Sequence, residues 1–211
     1  MRHLAFAALI LLAACSRKSA PAPKPVATGP VALFVGDSLT AGYGVDPEDA
    51  WPALVGEAWA KRGLNWRARD AAVSGATSAG VQGEVAWAMT PDVKLVFICV
   101  GGNDGLRGLD PAVTKKNISA LIKGLQKKGV KVALAGMKMP PNYGAARAKA
   151  FKNIFPAIAK ERHVPFMPFL LEDVAGDPAL NQTDGIHPNA EGHRIVARNV
   201  GEFLDKEGLL K

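Results

Sequence analysis

One stretch sets the fold of this chain: Val31-Ala32-Leu33-Phe34-Val35-Gly36-Asp37-Ser38-Leu39. Its first residues form a continuous apolar run, which is typical of a β-strand buried on both faces of a parallel sheet. A glycine and two polar residues follow at once, as is common in turns and at the start of helices. The stretch therefore predicts a central parallel strand with a polar turn at its carboxyl end.

Strands and helices alternate from this stretch to the C-terminus. Short runs rich in apolar residues predict further strands at residues 66–73, 94–100, 130–136 and 164–167. Helical spacing predicts helices at residues 51–62, 78–89, 111–128, 145–162 and 189–206, with Pro156 expected to kink or break one of them. Such alternation favours parallel pairing through right-handed crossovers. The expected fold is α/β, a three-layer α/β/α sandwich with a central parallel sheet of about five strands.

Length and composition indicate one globular domain. The chain has 211 residues, of which 48% are hydrophobic and 21% are charged. This is enough for one well-packed core and too short for two domains of average size. The formal net charge is +7, but the Lys and Arg residues are spread along the chain. No nucleic-acid-binding motif accompanies this charge, so no nucleic-acid partner is expected.

Residues 1–14 have the layout of a secretory signal, with a basic head, a short apolar stretch and small residues before Cys15. The apolar stretch is shorter than the roughly 20 residues that a membrane-spanning helix needs. The ending Leu12-Ala13-Ala14-Cys15 resembles a bacterial lipobox, in which the cysteine is acylated and becomes the new N-terminus. An ordinary signal peptide with an incidental cysteine is the alternative. The other cysteine, Cys99, lies in an apolar run and is expected to be a buried free thiol.

The predicted organisation has three parts. A lipoprotein signal peptide covers residues 1–14, a lipidated Cys15 with a Pro/Ala-rich linker covers residues 15–30, and one folded domain covers residues 31–211. We expect a location on the periplasmic side of the cell envelope, with the N-terminal lipid anchor as the membrane contact. Ser16 after the cysteine resembles a signal for sorting to the outer membrane.

Four polar turns lie at predicted strand ends or before the last helix. Ser38 follows the first strand, where free N–H groups at a helix start can stabilise a negative oxygen. Gly75 and Asn103 follow the next two strands, and each can offer an N–H donor at the same edge of the sheet. Asp184 and His187 are three residues apart, so the carboxylate can hold Nδ1 and leave Nε2 facing Ser38. Each turn alone is an ordinary structural element, whereas the four in this order form a candidate catalytic site.

Together these turns resemble the SGNH hydrolase superfamily, also called GDSL esterases. Its four blocks match Gly36-Asp37-Ser38-Leu39, Gly75, Gly101-x-Asn103-Asp104 and Asp184-x-x-His187. The resemblance implies a flavodoxin-like SGNH hydrolase fold and acyl transfer through a covalent acyl-enzyme.

The roles of the site residues follow from this resemblance. Ser38 would be the nucleophile, and Asp184 and His187 would complete its catalytic triad. The N–H groups of Ser38 and Gly75 and the side chain of Asn103 would form the oxyanion hole. No metal or organic cofactor is implied.

Further segments are similar to the periplasmic thioesterase I, protease I and lysophospholipase (arylesterase) group. They are residues 50–54, 101–108, 141–144 and 164–169. Members of that group often carry a polar or acidic residue beside the oxyanion glycine, where this chain has Ala76. The lipobox is a second departure, because the best-known members are soluble in the periplasm. The behaviour of the loop at Ala76 and the substrate preference therefore stay open.

The resemblance implies a small acyl-ester, thioester or lysophospholipid substrate. Residues 106–109 and 137–143 are candidates for the borders of an acyl site, with plain loop packing as the alternative. A carbohydrate O-acetyl esterase of the cell envelope is a second hypothesis, since the superfamily also serves that chemistry. A non-catalytic envelope-binding lipoprotein is a third, and the intact set of Ser38, Asn103, Asp184 and His187 argues against it.

Overall fold

A computed structural model describes residues 28–211, in which a five-stranded sheet forms the centre. The strands are β1 (Val31–Gly36), β2 (Arg67–Asp70), β3 (Val93–Cys99), β4 (Lys131–Ala135) and β5 (Phe166–Met167). Their order across the sheet is β2-β1-β3-β4-β5, and every pair of neighbours is parallel. The predicted parallel sheet is confirmed.

Helices cover both faces of the sheet. They are α1 (Ser38–Ala41), α2 (Trp51–Lys61), α3 (Val81–Ala88), α4 (Gly102–Leu106), α5 (Pro111–Lys127), α6 (Ala145–Arg162) and α7 (Ala190–Lys206). Within this arrangement α2 packs against α7, and α5 packs against α6. The chain steps from β1 to β2 and then back past β1 to β3, so right-handed crossovers place α2 and α3 on opposite faces. The predicted three-layer α/β/α sandwich is confirmed.

The central position of β1 explains its apolar sequence. Residues 31–35 are fully buried, because β1 has a strand on each side and helices on each face. The Phe34 ring packs edge-on against Trp51, with 4.8 Å between ring centroids, and against Phe97 at 6.1 Å. Aromatic pairs in this geometry add about 0.5–1.5 kcal/mol each beyond the area they bury. This packing fixes β1 and, with it, the position of the residues that follow.

Both edge strands are shorter than the sequence predicts. Observed β2 spans Arg67–Asp70, against a prediction of residues 66–73, and β5 has only Phe166–Met167, against residues 164–167. Beyond β2 the main chain keeps two hydrogen bonds to β1, from the N–H of Ala71 to the carbonyl of Phe34 at 2.9 Å and from the N–H of Val73 to the carbonyl of Gly36 at 3.2 Å. The N–H of Ala72, between them, donates to the side chain of Asp70 at 2.8 Å. The regular strand therefore ends at Asp70, although the chain stays beside β1 as far as Val73.

Two helix predictions need correction. The sequence predicts α3 from residue 78, but it begins at Val81, because Ser78 is bound through its N–H and its hydroxyl to Asp104. The sequence also predicts a kink or a break at Pro156, and the expectation of a break is wrong, since α6 is continuous through it. Pro156 lies on the exposed face of α6, where water can bind the carbonyl freed by the missing N–H.

The features predicted for the N-terminus lie largely outside the described residues. The predicted signal peptide, Cys15 and the linker up to residue 27 belong to that part of the chain. The described chain starts at Thr28, whose N–H donates to Asn65 Oδ1 at 3.2 Å, and Gly29 donates to the same oxygen at 3.0 Å. Within residues 28–211 no helix is long and apolar enough to cross a membrane. Cys99 is a buried free thiol, as expected.

A buried histidine links the two helices on one face of the sheet. His193 of α7 is only 1% exposed, and its Nδ1 accepts a hydrogen bond from the N–H of Trp51, the first residue of α2, at 3.3 Å. Ala50, the N-cap residue of α2, offers no side-chain acceptor, so the imidazole of His193 accepts the hydrogen bond at the start of this helix instead. Burial lowers the pKa of His193 to about 4, because a charged imidazole is costly away from water.

We expect His193 to make the fold sensitive to acid. Its pKa is lower in the folded state than the ordinary value of 6.5, so its contribution is present above pH 6.5 and declines as the pH falls towards 4. Relative to the non-titrating variant His193→Gln, the wild type should lose about 2 kcal/mol of unfolding free energy between pH 7.5 and pH 5.

Urea unfolding at the two pH values measures this difference. The variant His163→Asn, which removes an exposed histidine, is the control and should keep the pH dependence of the wild type. A His193→Gln variant with the same pH dependence as the wild type would contradict the prediction.

Candidate active site

Ser38 lies directly beyond the carboxyl end of β1. It is the first residue of α1, and Asp37 caps that helix by accepting a hydrogen bond from the N–H of Leu39 at 3.1 Å. The helix ends after one turn at Gly42, which adopts the left-handed region with φ of +72°. The first N–H groups of a helix have no partner within it. The turn therefore places both the hydroxyl and the N–H of Ser38 at the edge of the sheet.

The structure brings the three predicted triad residues together. The Oγ of Ser38 lies 2.8 Å from Nε2 of His187, and Nδ1 of His187 lies 2.7 Å from Oδ2 of Asp184. A carboxylate can only accept, so Nδ1 carries the proton and Nε2 is free to accept from the hydroxyl. This is the arrangement needed for a base that activates a nucleophilic serine.

Asp184 is held in its charged form by the chain around it. Its Oδ1 accepts hydrogen bonds from the N–H of His187 at 3.0 Å and the N–H of Ile186 at 2.9 Å. These bonds, that from His187 first, lower the pKa of Asp184 to about 2. The carboxylate is therefore ionised at neutral pH and can orient the imidazole and stabilise its protonated form.

Gln182, for which the sequence predicts no role, joins the two segments that carry Ser38 and His187. Its Nε2 donates to the carbonyl of Tyr43 at 2.6 Å and to the carbonyl of Pro188 at 3.0 Å. Tyr43 follows α1, and its ring lies 4.8 Å from the His187 ring, measured between centroids. No sequence signal marks Gln182, because both of its partners are main-chain carbonyls.

The predicted oxyanion donors lie on three different segments. Among residues 28–211 the N–H groups of Ser38 and Gly75 have no hydrogen-bond acceptor. The Nδ2 of Asn103 donates to the carbonyl of Ala76 at 3.1 Å, and its second hydrogen remains for another acceptor. Ser38 and Asn103 line the same cavity, whereas Gly75 is not among the lining residues.

An apolar cavity of about 510 Å³ opens beside Ser38 and His187. Its walls come from α4 and from the segments that follow β4 and β5 and precede α7. The larger apolar residues among them are Leu106, Met137, Met139, Phe169, Leu171 and Ile186. Of the predicted acyl-site borders, Leu106 and residues 137–140 line the cavity, while Leu109 and Tyr143 are surface residues. The cavity suits an apolar group attached to the atom that Ser38 attacks.

In the described part of the chain no group of three or more His, Cys, Asp and Glu residues is placed to hold a metal ion.

Comparison with known proteins identifies the family. The GDSL-like Lipase/Acylhydrolase family matches residues 34–195. This chain belongs to that family. Esterase TesA of Pseudomonas aeruginosa is 37% identical over 173 residues, which make up 82% of this chain and 86% of the relative.

Two further comparisons agree. Thioesterase 1/protease 1/lysophospholipase L1 of Escherichia coli strain K12 is 36% identical over 166 residues, 78% of each chain. A crystal structure of TesA matches with a TM-score of 0.80 and 37% identity, covering 83% of this chain and 98% of that one. The resemblance inferred from the four sequence blocks is confirmed, and the chain is a hydrolase of the GDSL family.

In this GDSL-family hydrolase a second carboxyl group lies beside the nucleophile. Asp37 is 1% exposed, and its Oδ2 has no hydrogen-bond partner among residues 28–211. Burial raises the pKa of Asp37 to about 6, although the bond from the Leu39 N–H and the nearby His187 act in the opposite direction. Asp37 and Asp184 thus have opposite environments, and Asp37 is the carboxyl group that costs free energy to ionise.

We expect Asp37 to lower the stability of the protein as the pH rises. Its pKa is higher in the folded state than its ordinary value of 3.8, so it favours folding at low pH and this contribution is lost as the pH passes 6. Relative to Asp37→Asn, which keeps the capping oxygen, the wild type should lose about 2 kcal/mol of unfolding free energy between pH 4 and pH 8.

Urea unfolding across this range checks the expectation. The variant Asp110→Asn is the matched control, because Asp110 caps α5 through the N–H of Ala112 in the same way but is exposed. An equal pH dependence in the wild type and Asp37→Asn would show that burial of Asp37 does not govern its titration.

Proposed function

We propose that this protein is a serine esterase that hydrolyses carboxylic ester or thioester bonds through an acyl-enzyme, as an arylesterase, acyl thioesterase or lysophospholipase does. The observation that carries the proposal is the 2.8 Å contact between Ser38 Oγ and His187 Nε2 at the mouth of an apolar cavity. The names of the relatives support the same class of reaction, since they include an esterase and a thioesterase/lysophospholipase.

The reaction follows from the arrangement of the triad. His187 takes the hydroxyl proton of Ser38 while Oγ attacks the carbonyl carbon of the ester, and Asp184 stabilises the imidazolium that forms. The tetrahedral intermediate collapses when His187 gives this proton to the departing alcohol or thiol. A water molecule then gives a proton to His187 and attacks the carbonyl carbon of the acyl group on Ser38. The second tetrahedral intermediate collapses as His187 returns this proton to Ser38 Oγ, which releases the acid and restores the serine.

The negative oxygen of each tetrahedral intermediate needs donors at the same edge of the sheet. The N–H groups of Ser38 and Gly75 and the free hydrogen of Asn103 Nδ2 are the candidates, as the sequence predicts. Removal of one such donor typically costs about 3 kcal/mol of transition-state stabilisation, a factor of roughly 100 or more in rate.

The lining of the cavity bears on the choice of substrate. Long apolar side chains, two of them from methionines, surround the space beside Ser38. Such walls suit an acyl or aryl group, whereas a carbohydrate O-acetyl esterase has to accommodate a sugar rich in hydroxyl groups. The cavity therefore supports an acyl ester, acyl thioester or lysophospholipid substrate over an acetylated carbohydrate.

Hydrolysis of p-nitrophenyl esters from acetyl to palmitoyl tests the proposal. The variant Ser38→Ala should lose roughly 10⁴-fold or more of kcat, because it removes the nucleophile. If the acyl chain enters the cavity, kcat/KM should rise about fourfold for each added methylene, from about 0.8 kcal/mol per buried group, until the cavity is full.

Ser119→Ala is the matched control, since Ser119 is buried and its hydroxyl has no partner within residues 28–211. A folded Ser38→Ala variant with wild-type activity would refute the proposal. A profile that peaks at acetyl would instead favour the carbohydrate O-acetyl esterase.

We propose in addition that the chain is a lipoprotein of the cell envelope. The ending Leu12-Ala13-Ala14-Cys15 after a short apolar stretch supports cleavage of residues 1–14 and acylation of Cys15. Residues 16–30, rich in Pro, Ala and Lys, would then tether the domain to the membrane on the periplasmic side. Ser16 supports sorting to the outer membrane.

Metabolic labelling with radioactive palmitate in a bacterial host tests the anchor. The full chain should be labelled and should enter the detergent phase of a Triton X-114 extract, and Cys15→Ala should do neither. Cys99→Ala, which removes the buried thiol, should behave as the wild type does. Absence of label from the full chain, or equal labelling of Cys15→Ala, would leave an ordinary signal peptide as the explanation.

A further inference from the structure

A buried network of hydrogen bonds centres on Asp104, a residue to which the reaction described above assigns no role. Asp104 of α4 is 1% exposed, and its Oδ2 accepts a hydrogen bond from the N–H of Ser78 at 2.8 Å. Its Oδ1 accepts from the hydroxyl of Ser78 and from the hydroxyl of Thr114 at 3.1 Å. Asn117 donates to the same Ser78 hydroxyl at 3.0 Å. The carboxylate thus ties the loop at residue 78 to α4 and α5.

Two residues near Asp104, one on α4 and one directly after it, bind the same loop closer to Gly75. Nδ2 of Asn103 donates to the carbonyl of Ala76 at 3.1 Å. Nη2 of Arg107, the C-cap residue of α4, donates to the carbonyl of Gly75 at 2.9 Å. The loop that carries the candidate oxyanion donor Gly75 is therefore held at several points by the helix that carries Asn103.

The backbone at Gly75 explains why this loop needs such support. The N–H of Ala76 donates to the carbonyl of Val73 at 2.9 Å, which closes a β-turn with Gly75 at its third position and φ of +81°. That conformation is typical of a type II turn. Glycine also tolerates the type I alternative, in which the central peptide is reversed and its N–H points the other way. The direction of the Gly75 N–H is thus not fixed by the turn alone.

We infer that Asp104 is a positioning residue for the oxyanion hole, acting through Ser78 on the turn at residues 73–76. A buried carboxylate makes charge-assisted hydrogen bonds that are stronger than neutral ones and leaves the donors few other arrangements. It holds Ser78, three residues beyond Gly75, and so keeps the peptide of Gly75 in one orientation relative to Asn103 and Ser38. Asp104 itself does not line the cavity and touches no reacting atom. The inference rests on the proposed esterase function.

Two small side-chain changes distinguish a positioning role of Asp104 from a role in stability alone. Ser78→Ala and Thr114→Val each remove one hydroxyl that donates to Asp104, but only Ser78 belongs to the loop. Both keep the negative charge of Asp104, so its electrostatic effect on Asp37 is retained. Asp104→Asn weakens both contacts at once, and Asp177→Asn, at an exposed turn where Asp177 accepts from the N–H of Ala179, is the carboxylate control.

The readouts are kcat and KM for p-nitrophenyl butyrate, the inhibition constant of an alkylboronic acid, and the free energy of unfolding. A boronate bound to Ser38 mimics the tetrahedral anion, so it reports the oxyanion hole. We expect kcat to fall about 10-fold in Ser78→Ala and 10- to 100-fold in Asp104→Asn, with KM changed less than about twofold. The inhibition constant should rise by the same factor as kcat/KM falls. Thr114→Val and Asp177→Asn should stay within about threefold of the wild-type kcat.

Equal losses of kcat in Ser78→Ala and Thr114→Val at equal losses of stability would overturn the inference, because the network would then serve the fold alone. Unchanged boronate inhibition in a Ser78→Ala variant with lowered kcat would overturn it as well.

If Asp104→Asn does not fold, the comparison of Ser78→Ala with Thr114→Val still tests the inference. If Ser38→Ala loses activity but Ser78→Ala keeps the wild-type kcat, the inference about Asp104 is wrong while the proposed function stands. Activity that survives Ser38→Ala defeats the proposed function and this inference with it.

Discussion

Strand β1 hydrogen-bonds in parallel to β2 on one side and β3 on the other, and the rest of the molecule depends on this double pairing. Parallel strands end at the same edge of a sheet, so the segments that follow them are brought together there. Ser38 follows β1, Gly75 lies beyond β2 and Asn103 lies beyond β3, although they are far apart in sequence. The burial of residues 31–35 makes this edge rigid, and a rigid edge is what a reaction between positioned groups requires.

The ionisable groups near this edge have pKa values that their surroundings shift in different directions. Asp184 accepts two main-chain N–H bonds and has a pKa of about 2, whereas Asp37 is buried with an unpartnered oxygen and has a pKa of about 6. His193, on the helix that follows the triad, is kept neutral by burial and has a pKa of about 4. Asp184 is therefore ionised over a wider pH range than Asp37, and its direct contact with Nδ1 supports the positive charge of His187.

Much of the fold could be predicted from the sequence, because the signals for strands and helices are local. Continuous apolar runs mark buried strands, helical spacing marks helices, and the alternation of the two fixes a parallel α/β sandwich. Both edge strands are shorter than predicted, although the segment after β2 keeps main-chain hydrogen bonds to β1 through Ala71 and Val73. Of the kink or break predicted at Pro156, the break does not occur, because the proline lies on the exposed side of a helix held by buried residues such as Phe155 and Ile158.

The sequence by itself determined the fold class, the family and the identities of the candidate nucleophile, base and acid, because these are properties of residue types in a fixed order. Only the tertiary structure decided what surrounds them. Gln182 joins two segments through main-chain carbonyls, which any residue supplies and no pattern reveals. Asp104 meets Ser78 across 26 residues of chain, and the burial that gives Asp37 its raised pKa comes from the folded packing around it. Burial, distance and orientation arise when distant segments pack together, so a linear chain cannot carry them.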